Sequence, residues 1–351
     1  MSKKIDRIFG LLSLVILTMG IVAYVGYINP LQAASDGPIL RSTPFWMPRS
    51  SDTYLNNMMS GGPPKDGIPS IDDPKFISAR QATQDMLDPG DIVIGYANGE
   101  QAKAYPQKIL VQHEIVNDQV GGEKVSITYC PLTATAQGFK RGSTTLGVSG
   151  RLINSNLVMY DRATDTFYPQ ILASGIRGPN RGKSLEEFNV IWTTWENWKT
   201  QYPNTKVLST ETGFLRSYDR DPYGQYNPRG GYYKSERTMF PLMKSPERHG
   251  SKTMVLGART STKSVYVTMD RLRKQEIVQT ENFVIVYDKD LDTGYIYSAT
   301  GSASKIRKAG ANHYRYNGDR YHPSKLPFEK HVSIEGFYFA WNAYYPDSEP
   351  A

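Results

Sequence analysis

The sequence predicts a mainly β protein made of two related β-rich halves with a few short helices, and an α+β arrangement is the alternative. Short segments rich in β-branched and aromatic residues, such as DIVIGY, KVSITYC and NFVIVYD, are separated by Gly, Asn, Asp or Pro turns. Helical periodicity is weaker and is clearest in TWENWKTQY, where Trp195, Trp198 and Tyr202 share one face. A third observation, an internal repeat, predicts that the two halves are related.

The repeat relates residues 93–130 to residues 255–288. The aligned positions are Gly95 with Gly257, Tyr105 with Tyr266, His113-Glu114 with Gln275-Glu276, and Tyr129-Cys130 with Tyr287-Asp288. Chance similarity is the alternative to duplication, because strand patterns recur in β proteins. Residues kept in both copies, such as Glu114, are expected to serve the scaffold. His113 and Cys130 are not kept, which directs the search for chemistry to the first copy.

The amino terminus predicts export. Residues 1–34 combine Lys3, Lys4 and Arg7 with an apolar run from Ile8 to Ile28 and small residues at 33 and 34. The run is close to the roughly 20 residues that span a bilayer, so an uncleaved membrane anchor and a cleaved signal peptide both remain open. Either reading places the rest of the chain outside the cytoplasm, as an anchored or a secreted protein.

Residues 35–84 are rich in Pro, Gly, Ser and Asp and predict a flexible tether to a β-rich domain over residues 85–346. Phe45, Trp46 and Met47 are the tether residues expected to dock onto that domain. The net charge of +7 would suit an acidic surface or would only aid solubility. Export argues against nucleic acid as a partner. Membrane contact is expected only through the amino-terminal segment, if that segment is not cleaved.

Cys130 is the only cysteine, which excludes an internal disulfide. It ends a predicted strand before Pro131, and three interpretations stay open: an inert buried thiol, a metal ligand or a nucleophile. A hairpin turning at residues 121 and 122 would bring His113 close to Cys130. That pair suits a nucleophile with His113 as its base, or a site for a transition metal such as copper or zinc. A metal site would need a further ligand from Met159, Asp161 or Thr133.

The stretch from 146 to 170, LGVSGRLINSNLVMYDRATDTFYPQ, supplies polar side chains around a second predicted hairpin. Asn156, Asp161, Arg162 and Gln170, together with Thr133, are the candidates for ligand binding. For Asp161 and Arg162 a structural clamp and a ligand contact are both open. Nucleophile-elbow, phosphate-loop, dinucleotide-binding and HExxH patterns are absent from the sequence, which argues against the corresponding enzyme classes.

Several blocks in fixed order resemble the prokaryotic domain-of-unknown-function family DUF3179. They are AYPQKIL, HEIVND, TYCPLT, GVSGRLINSNLVMYDRATDTFYPQ, TTWENWKTQYPNTKVLS and YDRDPYGQY. The resemblance implies no reaction, since the family has none established, and it implies exported or membrane-attached proteins. In the family pattern Cys-Pro-Leu is followed by Cys or Thr. Thr133 stands there in this chain, so no two-thiol motif is available.

The sequence therefore predicts an exported protein that binds a metal ion or an unidentified small ligand near Cys130 and His113. A cysteine-dependent enzyme is the first alternative to this interpretation. A structural envelope protein with an inert cysteine is the second.

Overall fold

Antiparallel strands carry most of the fold. The computed structural model describes residues 37–83, 85–298 and 305–351, and the chain from Gly37 to Ala351 folds as one unit. It is 37% strand and 13% helix, which confirms the mainly β prediction. No helix in these described ranges is long and apolar enough to cross a bilayer. The predicted signal peptide or anchor, residues 1–34, lies outside them.

The first half forms three sheets. Its first elements along the chain are the short α1 (Ser51–Asn56), β1 (Met59–Ser60) and β2 (Phe76–Ser78), and both of these strands belong to the sheets. Its remaining elements are β3 (Ile92–Asn98), β4 (Gln101–Pro106), α2 (Gln107–His113), β5 (Ile115–Val120), β6 (Glu123–Cys130), β7 (Thr135–Lys140), β8 (Leu146–Ile153), β9 (Asn156–Asp161), β10 (Phe167–Pro169), β11 (Glu187–Phe188), β12 (Ile191–Thr194), α3 (Trp195–Gln201) and β13 (Lys206–Leu208). The strand orders are β12-β3-β4-β13-β2, β11-β7-β6-β5 and β1-β8-β9-β10.

The second half follows a long connection, residues 209–253, which we call the covering loop. Its elements are β14 (Met254–Arg259), β15 (Ser264–Thr268), α4 (Met269–Gln275), β16 (Ile277–Gln279), β17 (Phe283–Asp288), β18 (Thr293–Ser298), β19 (Arg307–Lys308), β20 (Tyr314–Tyr316), β21 (Asp319–Tyr321), β22 (Lys330–His331), β23 (Ser333–Phe337), α5 (Tyr338–Tyr344) and β24 (Glu349–Pro350). Its strand orders are β23-β14-β15-β24, β16-β17-β18-β22 and β19-β20-β21.

The two halves share their order of elements and their pairing. In each, an antiparallel pair leads into a seven-residue helix, β3-β4-α2 or β14-β15-α4. The helix ends at a glutamate in the left-handed region, Glu114 (φ 59°) or Glu276 (φ 61°). In each, the strand after the last helix adds in parallel to the leading pair, β13 to β4 and β24 to β15. The fold therefore consists of two related halves, as predicted.

A glycine facing a tryptophan explains one of the aligned positions. A Cβ on Gly95 would lie 2.2 Å from the ring of Trp198, and a Cβ on Gly257 would lie 2.6 Å from the ring of Trp341. Each indole also donates to a hydroxyl seven residues later, at 3.0 Å in both halves. Both glycines therefore make room for the helix that packs across the sheet.

We expect Gly95→Ala to lower the free energy of unfolding by about 1–3 kcal/mol, because the added methyl group forces a buried indole to move. Urea denaturation of the wild type and the variant measures this difference. Gly90→Ala is the matched control, since a Cβ there meets its nearest neighbour at an ordinary 3.6 Å. Equal stability loss in the two variants would contradict the packing explanation.

The segment predicted as a flexible tether is largely folded. Residues 51–56 form α1, and Tyr54 and Ile71 are fully or almost fully buried. The backbone of Ile71 exchanges hydrogen bonds with that of β5, at 2.9 Å to Ile115 and 2.8 Å from Asn117. Phe45 is buried as well, which agrees with its expected docking. The structure differs from the expectation because widely spaced apolar residues bury this Pro/Gly-rich segment against the sheets.

Candidate functional site

The predicted hairpin around residues 121 and 122 exists, but it begins after His113. β5 and β6 pair from Ile115 with Thr128 to Val120 with Glu123. The predicted hairpin takes KILVQHEIV, residues 108–116, as its first strand, but residues 108–113 belong to the helix α2 instead. Pro106 stands at its amino end, where a missing N–H costs nothing, and Ile109, Leu110 and Val111 are all buried. Burial of consecutive apolar residues gave the helix the sequence pattern of a strand.

His113 is held by two groups, neither of which is Cys130. Its Nδ1 lies 2.8 Å from the carbonyl oxygen of Pro69, and its Nε2 lies 2.7 Å from the hydroxyl of Tyr218. Since a carbonyl only accepts, Nδ1 carries the proton and Nε2 accepts from Tyr218. Burial lowers the pKa of His113, although the Pro69 hydrogen bond opposes this shift. His113 therefore fastens the covering loop and the Pro69 segment to α2.

Cys130 ends β6 as a buried thiol. Its Sγ accepts a hydrogen bond from the backbone N–H of Leu157 at 3.4 Å and donates to the carbonyl of Ser155 at 3.6 Å. Burial, and then the nearby charge of Glu114, raise the pKa of Cys130 to about 11. The thiol is consequently protonated at neutral pH. Tyr223 and Tyr232 of the covering loop pack against the apolar cluster that contains it.

Glu114 is the functional candidate that sequence reasoning missed. Its αL backbone ends α2, as that of Glu276 ends α4, which is the scaffold role expected from the repeat. The two side chains differ, because Glu276 forms an ion pair with Lys308 at 2.6 Å whereas Glu114 is only 6% exposed. Burial raises the pKa of Glu114 to about 8. No sequence signal marks this difference, since the burial depends on distant packing.

A buried lysine, Lys252, packs against the ring of Tyr232. Lys252, at the end of the covering loop, is 4% exposed, and its Nζ has no hydrogen-bond partner in the described part of the chain. This nitrogen lies 3.1 Å from the ring centre of Tyr232, whose hydroxyl donates to the carbonyl of Leu132 at 2.7 Å. Burial lowers the pKa of Lys252 to about 7. Tyr232 thus separates the lysine from the Cys130 cluster.

Three predicted ligand-binding residues, Thr133, Asn156 and Gln170, come together in one buried polar network. The Asn156 amide donates to Thr133 Oγ1 at 3.1 Å and to Gln170 Oε1 at 2.9 Å. Gln170 in turn accepts from Thr135 at 2.7 Å and donates to Thr128 at 2.8 Å. The network adjoins Cys130, which pairs with Thr135 across the sheet. Its members satisfy one another, and they connect the β5–β7 strands to β9 and β10.

The other predicted residues have separate surroundings. Asp161 accepts from the N–H and the hydroxyl of Thr164, both at 2.6 Å, in a turn. Arg162 does not pair with Asp161. It contacts Asp66 at 3.0 Å and Asp72 at 3.3 Å, and thereby clamps the amino-terminal segment to β8 and β9. Met159 is fully buried in the apolar cluster that includes Cys130.

A group of three side chains suited to metal binding occurs elsewhere, in the second half. Asp288, Asp290 and His322 each place a ligand atom within 4.8 Å of the other two. Cys130 and His113 belong to no such group among the residues that the structure describes. Asp288 is the residue that the repeat aligns with Cys130. The two candidate sites therefore occupy corresponding strand ends.

The comparisons with known proteins identify one family. A family model described as a protein of unknown function, DUF3179, matches residues 65–348, which is most of the chain and starts earlier than the predicted 85. No curated protein and no solved structure matches. This chain belongs to the DUF3179 family.

Proposed function

We propose that this protein binds a small ligand at Cys130 and Glu114 of the first half, under the covering loop. The observation that carries the proposal is the joint burial of the thiol and the carboxyl. The second half places an aspartate and an ion-paired glutamate at the same two backbone positions, so the β scaffold does not require the pair. Perturbed titratable groups that the scaffold does not need are typical of functional sites.

The cost of burying Glu114 supports this proposal. Burial alone accounts for the raised pKa of Glu114, so no charged partner compensates for the water that its carboxyl loses, and such a loss costs free energy. With a pKa of about 8 for Glu114 and about 11 for Cys130, both groups carry a proton at neutral pH. A small molecule that presents hydrogen-bond acceptors would satisfy the carboxyl. A metal ion is the poorer candidate here, because it requires the thiolate and both nitrogens of His113 are engaged.

A cysteine-dependent enzyme is the second candidate, and the nearby Glu114 favours it. Above a pH of about 8 Glu114 is a carboxylate, and this carboxylate, rather than His113, would be the base that accepts the thiol proton. A ligand bound between Glu114 and Cys130 would shield the sulfur from the carboxylate charge and would thereby lower the pKa of the Cys130 thiol. Catalysis would then begin only after the covering loop admits a substrate.

The proposal also places the protein outside the cytoplasm. The apolar run from Ile8 to Ile28 supports an anchored or secreted protein in which the membrane is contacted through that run and nucleic acid is not a partner. Burial of Cys130 suits an oxidising compartment, because an inaccessible thiol is protected from oxidation and from pairing with another chain.

Labelling with iodoacetamide tests the proposed site in the full-length protein. If the covering loop opens to admit ligands, Cys130 should react in the native protein without global unfolding. Tyr232→Ala removes a ring that packs on the Cys130 cluster and should raise the labelling rate by about tenfold or more, since about 1.4 kcal/mol of lost packing corresponds to tenfold. Tyr226→Ala is the matched control in the same loop, because that ring packs on Trp192 at 4.9 Å.

A reporter of global unfolding makes this test decisive. Val286→Cys in a Cys130→Ser background places a thiol in the fully buried centre of β17. If Cys130 is labelled at the same rate as this reporter at every urea concentration, the thiol is an inert part of the core. That result would contradict both the ligand-binding proposal and the enzyme proposal.

A further inference from the structure

A buried aspartate in the second half has one carboxylate oxygen without a partner. Asp288 is fully buried at the end of β17 and pairs with Thr293, as Cys130 pairs with Thr135. Its Oδ1 accepts from the side-chain amide of Asn312 at 2.9 Å and from two backbone N–H groups. Its Oδ2 has no hydrogen-bond partner within the described residues. A buried carboxylate oxygen in this state is unfavourable unless a cation is present.

His322 lies on the side of this oxygen. Its Nε2 is 3.8 Å from Asp288 Oδ2, which is too long for a hydrogen bond. The backbone N–H of Ser324 donates to His322 Nδ1 at 3.3 Å, which leaves the proton of the neutral ring on Nε2. Metal binding through Nε2 would require the tautomer protonated at Nδ1, whose N–H could donate to the hydroxyl of Ser324 at 2.9 Å. Histidines that bind metals usually donate their other ring N–H to such an acceptor.

Asp290 completes the group from the solvent side. Its Oδ2 accepts from the Asn312 amide at 2.8 Å, so one amide nitrogen orients both carboxylates. The backbone N–H of Lys289 donates to the oxygen of the same Asn312 at 3.0 Å and fixes the amide. The two carboxylates thus converge with His322, although neither pairs with a lysine or arginine among the residues that the structure describes.

We propose that Asp288, Asp290 and His322 bind a divalent transition-metal ion of the Zn²⁺ class. One imidazole nitrogen and two carboxylate oxygens are ligands that Zn²⁺ accepts, and three protein ligands leave a position for water or another molecule. Ca²⁺ and Mg²⁺ fit less well, since both prefer all-oxygen sites with more ligands. This site is separate from the proposed Cys130 site and does not depend on it.

Zinc binding to the full-length protein in mild detergent, after treatment with a chelator, tests the proposal. We expect about one Zn²⁺ per chain by calorimetry and by elemental analysis, together with a zinc-dependent rise in Tm. Asp288→Asn and His322→Gln should each weaken zinc binding by at least about tenfold, the smallest loss typical of the residues that only orient metal ligands. Metal-free Asp288→Asn should unfold at a Tm no lower than that of the wild type, because it removes a buried carboxylate oxygen that has no partner among the described residues.

Two control variants decide which residues bind the ion. His313→Gln removes a histidine whose ring lies 6.1 Å from that of His322 and should leave zinc binding unchanged. Cys130→Ser should also leave it unchanged. Absence of stoichiometric zinc in the folded wild type would overturn the proposal. Loss of zinc binding in either control would overturn the residue assignment.

Discussion

Replacing Arg259 by methionine is expected to lower the free energy of unfolding by about 3–5 kcal/mol, because it leaves a buried carboxylate without its cation. Arg259 on β14 donates to Glu187 on β11 at 2.5 Å, and neither side chain is more than 1% exposed. The pair joins the two halves of the fold. Burial raises the pKa of Glu187, and the charge and hydrogen bond of Arg259 oppose that shift, so removing the arginine leaves only the charge of Arg41 and the Gln137 hydrogen bond to oppose burial.

The surroundings of Arg259 offer little compensation. After the substitution, Glu187 Oε1 keeps only the amide of Gln137, at 2.9 Å. The guanidinium also stacks on Phe45, at 4.2 Å from the ring centre, and this contact anchors the amino-terminal segment. The variant should therefore loosen that segment as well as the junction between the halves.

Urea denaturation of three variants separates the buried charge from lost packing. The double variant Glu187→Gln with Arg259→Met should recover much of the stability, since no unpaired charge remains. Arg273→Met is the control for a solvent-accessible pair, because Arg273 and Asp292 are about 40% exposed, and it should cost no more than about 1 kcal/mol. If Arg259→Met loses no more stability than Arg273→Met, the buried pair does not hold the halves together.

The relation between the halves was accessible from sequence because it depends on local requirements repeated in both copies. Gly95 and Gly257 must lack a side chain where a tryptophan crosses the sheet. Glu114 and Glu276 end equivalent helices in the same backbone conformation. Such requirements preserve residues at fixed spacing, so an alignment of the chain with itself reveals them without knowledge of tertiary contacts.

The grouping of the site residues was less accessible, because contacts distant in sequence determine it. His113 is the last residue of the helix α2 and does not lie on a strand, and its partners are Pro69 and Tyr218, 44 and 105 residues away. The sequence predicts Thr133, Asn156 and Gln170 as ligand-binding residues, but in the structure they satisfy one another in a buried network. Hydrophobic pattern and turn residues carry no information about such pairings.

The structure also changes what the repeat indicates about function, because both copies, and not only the first, contain a candidate site. The sequence directs the search for chemistry to the first copy, because the second copy lacks Cys130 and His113. The second copy nevertheless contains a buried aspartate at the position of Cys130, and one oxygen of that aspartate has no hydrogen-bond partner among the described residues. A strand end beside a left-handed glutamate is thus a place where this scaffold buries a polar side chain in both halves. This side chain is a thiol in the first half and a carboxyl group in the second.

Replacing Glu114 by glutamine is expected to stabilise the protein by about 2–4 kcal/mol at pH 8. Burial raises the pKa of Glu114 from 4.5 to about 8, so between these values the folded protein holds a proton that the unfolded chain has lost. Stability must therefore fall as the pH rises from about 4.5 to about 8, and the penalty is constant above that range. Glutamine does not titrate, so the gain should vanish near pH 4 and grow through this window.

Urea midpoints between pH 4 and pH 9 measure this gain. Some slope should persist in the variant, because burial raises the pKa of Glu335 to about 8 as well. Glu276→Gln is the matched control at the corresponding helix end, where loss of the Lys308 ion pair should cost no more than about 1 kcal/mol at any pH in this range. If Glu114→Gln and the wild type show the same pH dependence, the carboxyl of Glu114 is ionised in the folded protein. The proposed site would then lose its protonated carboxyl, and the basis for a ligand rich in hydrogen-bond acceptors would be lost with it.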